Sequence, residues 1–330
     1  MSCRSMSSTP TDITSTADRP LLGILLMLGF CAVIPFADAL AKLLGAEFPL
    51  LQLVVVRFAT QVLLFVPIAL IAGAVLFPSR RIVGLTLLRA MLQIAGLLLM
   101  FSALRVLPLA DAIAIAFVMP FIILILGRFF LNEEVGRRRL IACAVGFAGT
   151  LMVVQPSFAA VGWAALLPIG VAFSFAFFMV VTRAMSREID PLALQGATGL
   201  LALPLVAPLM LLPVAEVAPL VGWLPADGGQ IWLFVALGVF GSIGHLLMTW
   251  SLKYAPSATL APMQYLEIPM ATLLGFFMFR DLPNGLAALG ITVTIAAGLY
   301  IVLRERAVSR AAPSSPSPSP SSPPPSPPVA

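Results

Sequence analysis

A few ionisable side chains stand inside stretches of sequence otherwise built from Leu, Ala, Val, Phe and Gly. Asp38, Arg57, Arg89 and Glu267 are such residues, together with the single histidine, His245. An ionisable group at the centre of a membrane span costs about 2.5–3.5 kcal/mol on insertion scales, so each is a functional candidate. Glu267 lies mid-stretch between Pro262 and Pro269. Prolines remove backbone donors and bend a helix, turning carbonyls toward a cavity. A carboxylic acid there can exchange protons with a gradient or pair with a cationic substrate; alternatively it stays protonated and bonded to a neighbouring helix. His245, at similar depth, is a candidate partner for Glu267 because imidazole titrates near neutrality. It is equally a satisfied interhelical hydrogen bonder, and with no second His or Cys nearby it is a poor metal ligand. Gln264 and Tyr265, just before Glu267, could bond a ligand. Phe117, Phe121, Phe173, Phe177 and Trp250 could stack on a planar ring or simply pack.

Asp38 and Arg57 are matched in depth, about 9 and 10 Å from the same membrane face at 1.5 Å per residue. They can neutralise each other as a clamp between helices, or serve as a gate or binding pair. Lys42, one turn beyond Asp38, competes for it. Arg89 lies about 9 Å inside the opposite face. It meets an anionic group there or snorkels to the boundary.

The elements that must position these residues are ten apolar stretches, near 21–44, 50–76, 83–104, 110–131, 139–155, 161–183, 191–213, 231–252, 257–279 and 285–303. With 60% hydrophobic and 10% charged residues and a mean hydropathy of +1.06, the 330-residue chain lacks the polar surface a water-soluble fold requires. A bilayer core needs about 20 apolar residues per helix, and lipid offers backbone groups no partner, so helices are expected. Barrel-type alternation is absent. An all-α membrane protein of ten transmembrane helices follows.

Orientation follows from the Lys and Arg residues. With the N-terminus inside, thirteen of nineteen lie on the inner side and three, Lys42, Arg105 and Arg280, on the outer. The positive-inside bias then puts both termini in the cytoplasm. The net charge of +5 reflects topology and contact with lipid head groups, not nucleic acid. Residues 1–20 read as a polar cytoplasmic segment and 311–330 as a disordered Ser/Pro tail. The cysteines are scattered, with no disulfide frame or metal cluster. Glu133–Glu134 and Arg137–Arg138–Arg139 read as a solvated cytoplasmic loop. Gly127, Gly146, Gly149, Gly275 and Gly298 suit close helix approach.

Leu99–Glu133 and Leu247–Asp281 resemble each other under a shift of 148. Arg105 and Lys253 precede a Pro by three residues, and Glu133 and Asp281 close the following span. Residues 21–156 and 160–304 therefore read as two five-helix repeats. Five is odd, so the second copy must enter the membrane inverted. Inverted repeats are the architecture of alternating access, with substrate held near the midplane.

At these residues the chain resembles the drug/metabolite transporter superfamily, in its ten-helix EamA-type branch. The likeness covers about residues 20–305 and rests on Phe101–Ser102–Ala103–Leu104, Pro120, Phe130–Leu131–Asn132–Glu133–Glu134, Gly146–Phe147–Ala148–Gly149 and Phe279–Arg280–Asp281. Asp38 and Lys42, Arg57–Phe58, Leu88–Arg89, Ala261–Pro262 and Tyr265–Leu266–Glu267 are most similar to riboflavin importers and S-adenosylmethionine uptake transporters. The resemblance implies uptake of a cofactor-sized metabolite across a bacterial-type cytoplasmic membrane, with export of amino acids, metabolites or drugs as the alternative. Riboflavin is preferred slightly, because carboxylates and arginines together suit a polar neutral molecule. A membrane-embedded enzyme is the reading from another class, and HExxH, GxSxG and phosphate-loop motifs are absent. Protons or an exchanged solute are the expected drive, with no resident cofactor or metal. Nothing in the sequence specifies an oligomeric state.

Overall fold

Lipid gives the backbone no hydrogen-bond partners, and the chain answers with helices that satisfy their own. A computed structural model describes residues 19–107, 109–154, 162–211, 221–279 and 285–311. The expected N-terminal segment before residue 19, the Ser/Pro tail from 312, and Arg280–Asp281 lie outside these residues. The helices are α1 (Pro20–Gly45), α2 (Leu50–Ile71), α3 (Arg80–Val106), α4 (Leu109–Ala116), α5 (Met119–Leu131) and α6 (Arg137–Val154). There follow α7 (Leu166–Met185), α8 (Pro191–Val206), α9 (Gly228–Tyr254), α10 (Ser257–Leu260), α11 (Glu267–Phe279) and α12 (Gly285–Ala311). No strand occurs among the described residues.

Helix starts are written locally. Ser79 accepts from the Ile82 N–H at 3.2 Å, and Asp190 caps α8, whose first residue is Pro191. Asp227 and Gln230 form a reciprocal capping box on α9. Asn132, in the left-handed region at φ 52°, ends α5.

Among the described residues, six helical stretches are long and apolar enough to cross a membrane. They are Pro20–Gly45, Leu50–Ile71, Arg80–Val106, Gly162–Met185, Pro191–Met210 and Gly228–Tyr254. Met119–Leu131 and Ala288–Arg304 are shorter apolar helices. Large apolar side chains such as Leu63, Ile71, Phe129 and Trp232 point outward. With no water-facing polar shell around them, the exterior is suited to lipid and the protein is an integral membrane protein.

Two expected spans are not continuous. The stretch at 110–131 breaks at Phe117–Val118 into α4 and α5. The stretch at 257–279 has a single α-turn, then a 3-10 segment Ala261–Leu266, then α11 beginning at Glu267. Pro120 and Pro262 each lie in the first turn after a break, where the missing N–H costs nothing. The second helix also stops at Ile71 rather than 76, and α8, in the seventh expected stretch, passes into 3-10 geometry at Ala207.

The most extensive helix pairs are α1 with α9, α6 with α12, α2 with α8, and α3 with α7. Small residues permit close crossings. At Gly146 a Cβ would fall 2.9 Å from Cγ of the Tyr265 ring, so only glycine fits. Polar contacts tie the helix ends together. At one end Arg105 donates to the carbonyls of Gly45 (3.1 Å) and Phe48 (2.8 Å), and Gln52 exchanges two hydrogen bonds with the Leu224 backbone. At the other end Glu133 accepts from Ser257 N (3.0 Å), Ser257 Oγ (2.7 Å) and Ala258 N (2.8 Å). Arg183 lies 3.6 Å from the same carboxylate and donates to the Leu252 carbonyl at 2.6 Å. Glu133 is therefore not part of a solvated loop. Ordered at the end of α5, it caps the N-terminus of α10, where a carboxylate meets free N–H groups.

Candidate functional site

The interior of the bundle holds a cavity of about 770 Å³, its open mouth included. Its walls are mostly apolar, but Asp38, Arg57, Gln93, His245 and Glu267 all face it. Residues far apart in sequence are assembled here from α1, α2, α3, α9 and the start of α11.

Arg57 is buried and donates to His245 Nδ1 (2.9 Å) and to the Gly241 carbonyl (3.3 Å). Gly241 is needed, since a Cβ there would overlap the guanidinium. His245 Nδ1 also lies 3.0 Å from the Gly241 carbonyl. Since an arginine can only donate, Nδ1 accepts from Arg57 when the ring proton is on Nε2, and the Gly241 contact is then not a hydrogen bond. The expected partner of His245, Glu267, is thus replaced by Arg57. The expected Asp38–Arg57 ion pair is not closed either. The two lie within electrostatic reach, but no contact of 4.0 Å or less joins them among the described residues.

Glu267 opens α11 at the break in the ninth stretch and is 8% exposed. Its carboxylate has no hydrogen-bond or ion-pair partner among the described residues, and it lies within electrostatic reach of Asp38 across the cavity. Aromatic rings form one wall. Phe30 and Phe175 stack at 6.2 Å and Phe175 meets Phe178 at 5.9 Å. The edges of Phe30 and Phe178 meet His245 at 6.4 and 5.6 Å. Of the aromatics singled out in sequence, Phe117 lines the cavity and Phe121, Phe173, Phe177 and Trp250 do not.

Three further candidates stand behind the wall. Tyr265 is fully buried, donates to the Phe117 carbonyl at 3.2 Å and packs on the Phe117 ring at 5.6 Å. These two residues are 148 positions apart, the shift at which the two halves resemble each other in sequence. By the same spacing Glu267 corresponds to Met119. Gln264 is buried with its amide nitrogen on the Met179 sulfur.

Arg89 does not snorkel. It is fully buried and donates to Thr182 Oγ1 (2.9 Å), Thr249 Oγ1 (3.1 Å), Thr198 Oγ1 and Gln195 Oε1. Each threonine hydroxyl gives its own proton to the carbonyl four residues back, leaving lone pairs for the guanidinium. The Phe178 ring lies over the cation at 4.4 Å, between it and the cavity. A sequence search weighted toward charge misses Gln93. Its only signal is a neutral amide one turn beyond Arg89.

Arg89 is held by neutral acceptors alone, with no carboxylate paired to it among the described residues. Removing an acceptor should then cost more than removing the cation, because an uncompensated buried charge is the expensive state. Gln195→Leu is expected to destabilise the detergent-solubilised protein by about 2–4 kcal/mol. Arg89→Met, of similar volume, should lose less. Thermal unfolding of the two variants checks the order.

Residues 21–155 and 162–304 each match the EamA-like transporter family. A riboflavin transporter from Rhizobium johnstonii is 28% identical over 219 residues, 66% of this chain and 70% of that protein. An S-adenosylmethionine uptake transporter from Rickettsia felis is 26% identical, covering 83% of this chain and 90% of its own. A pseudopaline exporter from Pseudomonas aeruginosa is 28% identical over 87% of this chain and 96% of its own. One solved crystal structure superposes with a TM-score of 0.68 at 20% identity, over 85% of this chain and 97% of the other, and shares the fold. With both halves matched over nearly all of the described helices, the chain belongs to the EamA-like transporter family.

Proposed function

We propose that this protein is a secondary transporter that takes up a cofactor-sized metabolite across the cytoplasmic membrane by alternating access. The observation that carries the reading is the buried cavity, where an unpartnered carboxylate, Glu267, sits at the break of a membrane-embedded segment. Broken backbone at this depth is tolerated only where protein covers it or a cavity adjoins it, and transporters bind substrate at such points.

Riboflavin is the preferred substrate and S-adenosylmethionine the next. The lining joins two carboxylates, a guanidinium already bound to His245, an amide and stacked phenyl rings, which suits a polar, flat, uncharged molecule. The names of the relatives support both choices. Export is the second reading, favoured by the likeness to the pseudopaline exporter.

Ten spans in two inverted repeats complete the proposal. Its support is the meeting of helix ends: Arg105 of α3 and Gln230 of α9 both bond the segment just after α1, at Phe48 and Glu47, whereas α5 and α7 finish beside the start of α10. Helices in equivalent positions of the two halves would then run in opposite directions. Reporter fusions after residues 80, 137, 187 and 306 should read cytoplasmic, and those near 47, 157, 223 and 283 external. Matching orientations at 157 and 187 would refute the inversion.

Glu267 is the coupling group in this scheme, taking up and releasing a proton or neutralising substrate charge. Asp38 and Arg57 shape the opposite wall, and Tyr265 with Gln264 supports the break. Glu267→Gln keeps volume and hydrogen bonding while removing the change in charge. Proteoliposomes carrying it should lose gradient-driven accumulation of labelled riboflavin by about 10-fold or more, while still exchanging substrate. Wild-type accumulation with unchanged pH dependence would remove the coupling role.

A further inference from the structure

Gln93 is the polar group in the cavity whose chemistry is most fully unused. It projects from the middle of α3, is 4% exposed, and lines the cavity beside Gly96 and Leu97. Both its amide nitrogen and its amide oxygen are buried without a hydrogen-bond partner among the described residues. Arg89, one turn earlier, is saturated with acceptors by comparison. Buried amides are nearly always paired, and one left open on both atoms costs stability that a bound molecule can restore.

A primary amide presents one donor and one acceptor side by side in a single plane. Its complement is an edge with the same pair reversed, as when Gln or Asn reads adenine with two parallel bonds. The rest of the wall narrows the choice. Phe30, Phe117, Phe175 and Phe178 line the same cavity, and flat aromatic faces accept a flat ring. We propose that Gln93 is a substrate-binding, specificity-determining residue that reads the edge of a planar heteroaromatic ring carrying an N–H donor next to an acceptor. The imide edge of a flavin and the amino-azine edge of an adenine share this chemistry. The inference rests on the transporter reading above, because it concerns the substrate of that same cavity.

The test pairs a change in the protein with a change in the ligand, read as binding to the purified full-length protein in detergent. Wild type and Gln93→Leu are titrated with riboflavin, with its N3-methylated derivative and with S-adenosylmethionine. Gln93→Leu should bind the matching unmethylated ligand about 10- to 100-fold more weakly. If the imide is the edge that is read, wild type should lose a similar factor on N3-methylation, and the two changes together should cost little more than either alone. If S-adenosylmethionine shows the Gln93-dependent loss instead, the edge is the adenine one. The empty variant should melt no lower than wild type, since an unsatisfied amide has been replaced by an apolar side chain of similar size.

Equal affinity of wild type and Gln93→Leu for every ligand that binds would overturn the role of Gln93 while leaving the transporter reading intact. A lower melting temperature for the empty variant would also overturn it, by revealing a partner for the amide within the bundle. Failure of wild type to bind any of the three ligands would overturn both this role and the preferred substrates.

Discussion

Lipid supplies no hydrogen bonds, and most of the structure can be derived from that one constraint. Each polar group that enters the span must be answered from inside the protein or must face a cavity. Arg89 is answered: three threonines and Gln195 surround it and Phe178 covers it. Arg57 is answered by His245 and the Gly241 carbonyl, though its Nε is left over. The 3-10 segment Ala261–Leu266 is buried almost throughout, so its irregular backbone never meets lipid. At the cavity Glu267 and both amide atoms of Gln93 have no partner among the described residues, and Ser242 Oγ, Ser251 Oγ and Gln264 Oε1 are buried without one elsewhere in the bundle.

The seam between the two halves is broken on both sides, by a turn at Phe117–Val118 and by the 3-10 segment Ala261–Leu266, and the two sides differ in chemistry. Phe117 and Tyr265, 148 positions apart, touch each other at the breaks in the fourth and ninth stretches. Two residues further on, the first half offers Met119 and the second offers Glu267. A duplicated scaffold can supply two bends, but one carboxylate is enough to give the site a charge. The ends of the bundle are tied differently as well. Arg105 closes on backbone carbonyls at one end, whereas Glu133 bridges Ser257, Ala258 and Arg183 at the other. The Arg105 tie lies within the first half, whereas the Glu133 contacts join the two halves and would have to break if one half rocked against the other.

Hydropathy makes the membrane class legible from the sequence, and internal similarity makes the two halves legible, because both are set by one-dimensional patterns. The buried charges are legible for the same reason. Partners are not. These helices are apolar on every side, so no amphipathic stripe tells which face looks inward. Two amides, Gln93 and Gln264, are indistinguishable in sequence, yet only Gln93 reaches the cavity. His245 reads as a neighbour of Glu267 by depth and proves to be held by Arg57, a choice made by rotation about α9 rather than by depth. Glu133 reads as solvated because Glu134 and three arginines follow it. Only the tertiary approach of α10 turns it into a cap.

The central claim is that this one cavity opens in turn to each side of the membrane. Cysteine accessibility at Met100, a cavity-lining position on α3, tests it most directly. Met100→Cys, in a chain whose own cysteines are replaced, is labelled with a membrane-impermeant thiol reagent applied from outside cells or to inverted vesicles. Alternating access predicts labelling from both sides and protection from both by a transported substrate. Labelling from one side only, unchanged by any substrate that the protein carries, would contradict it.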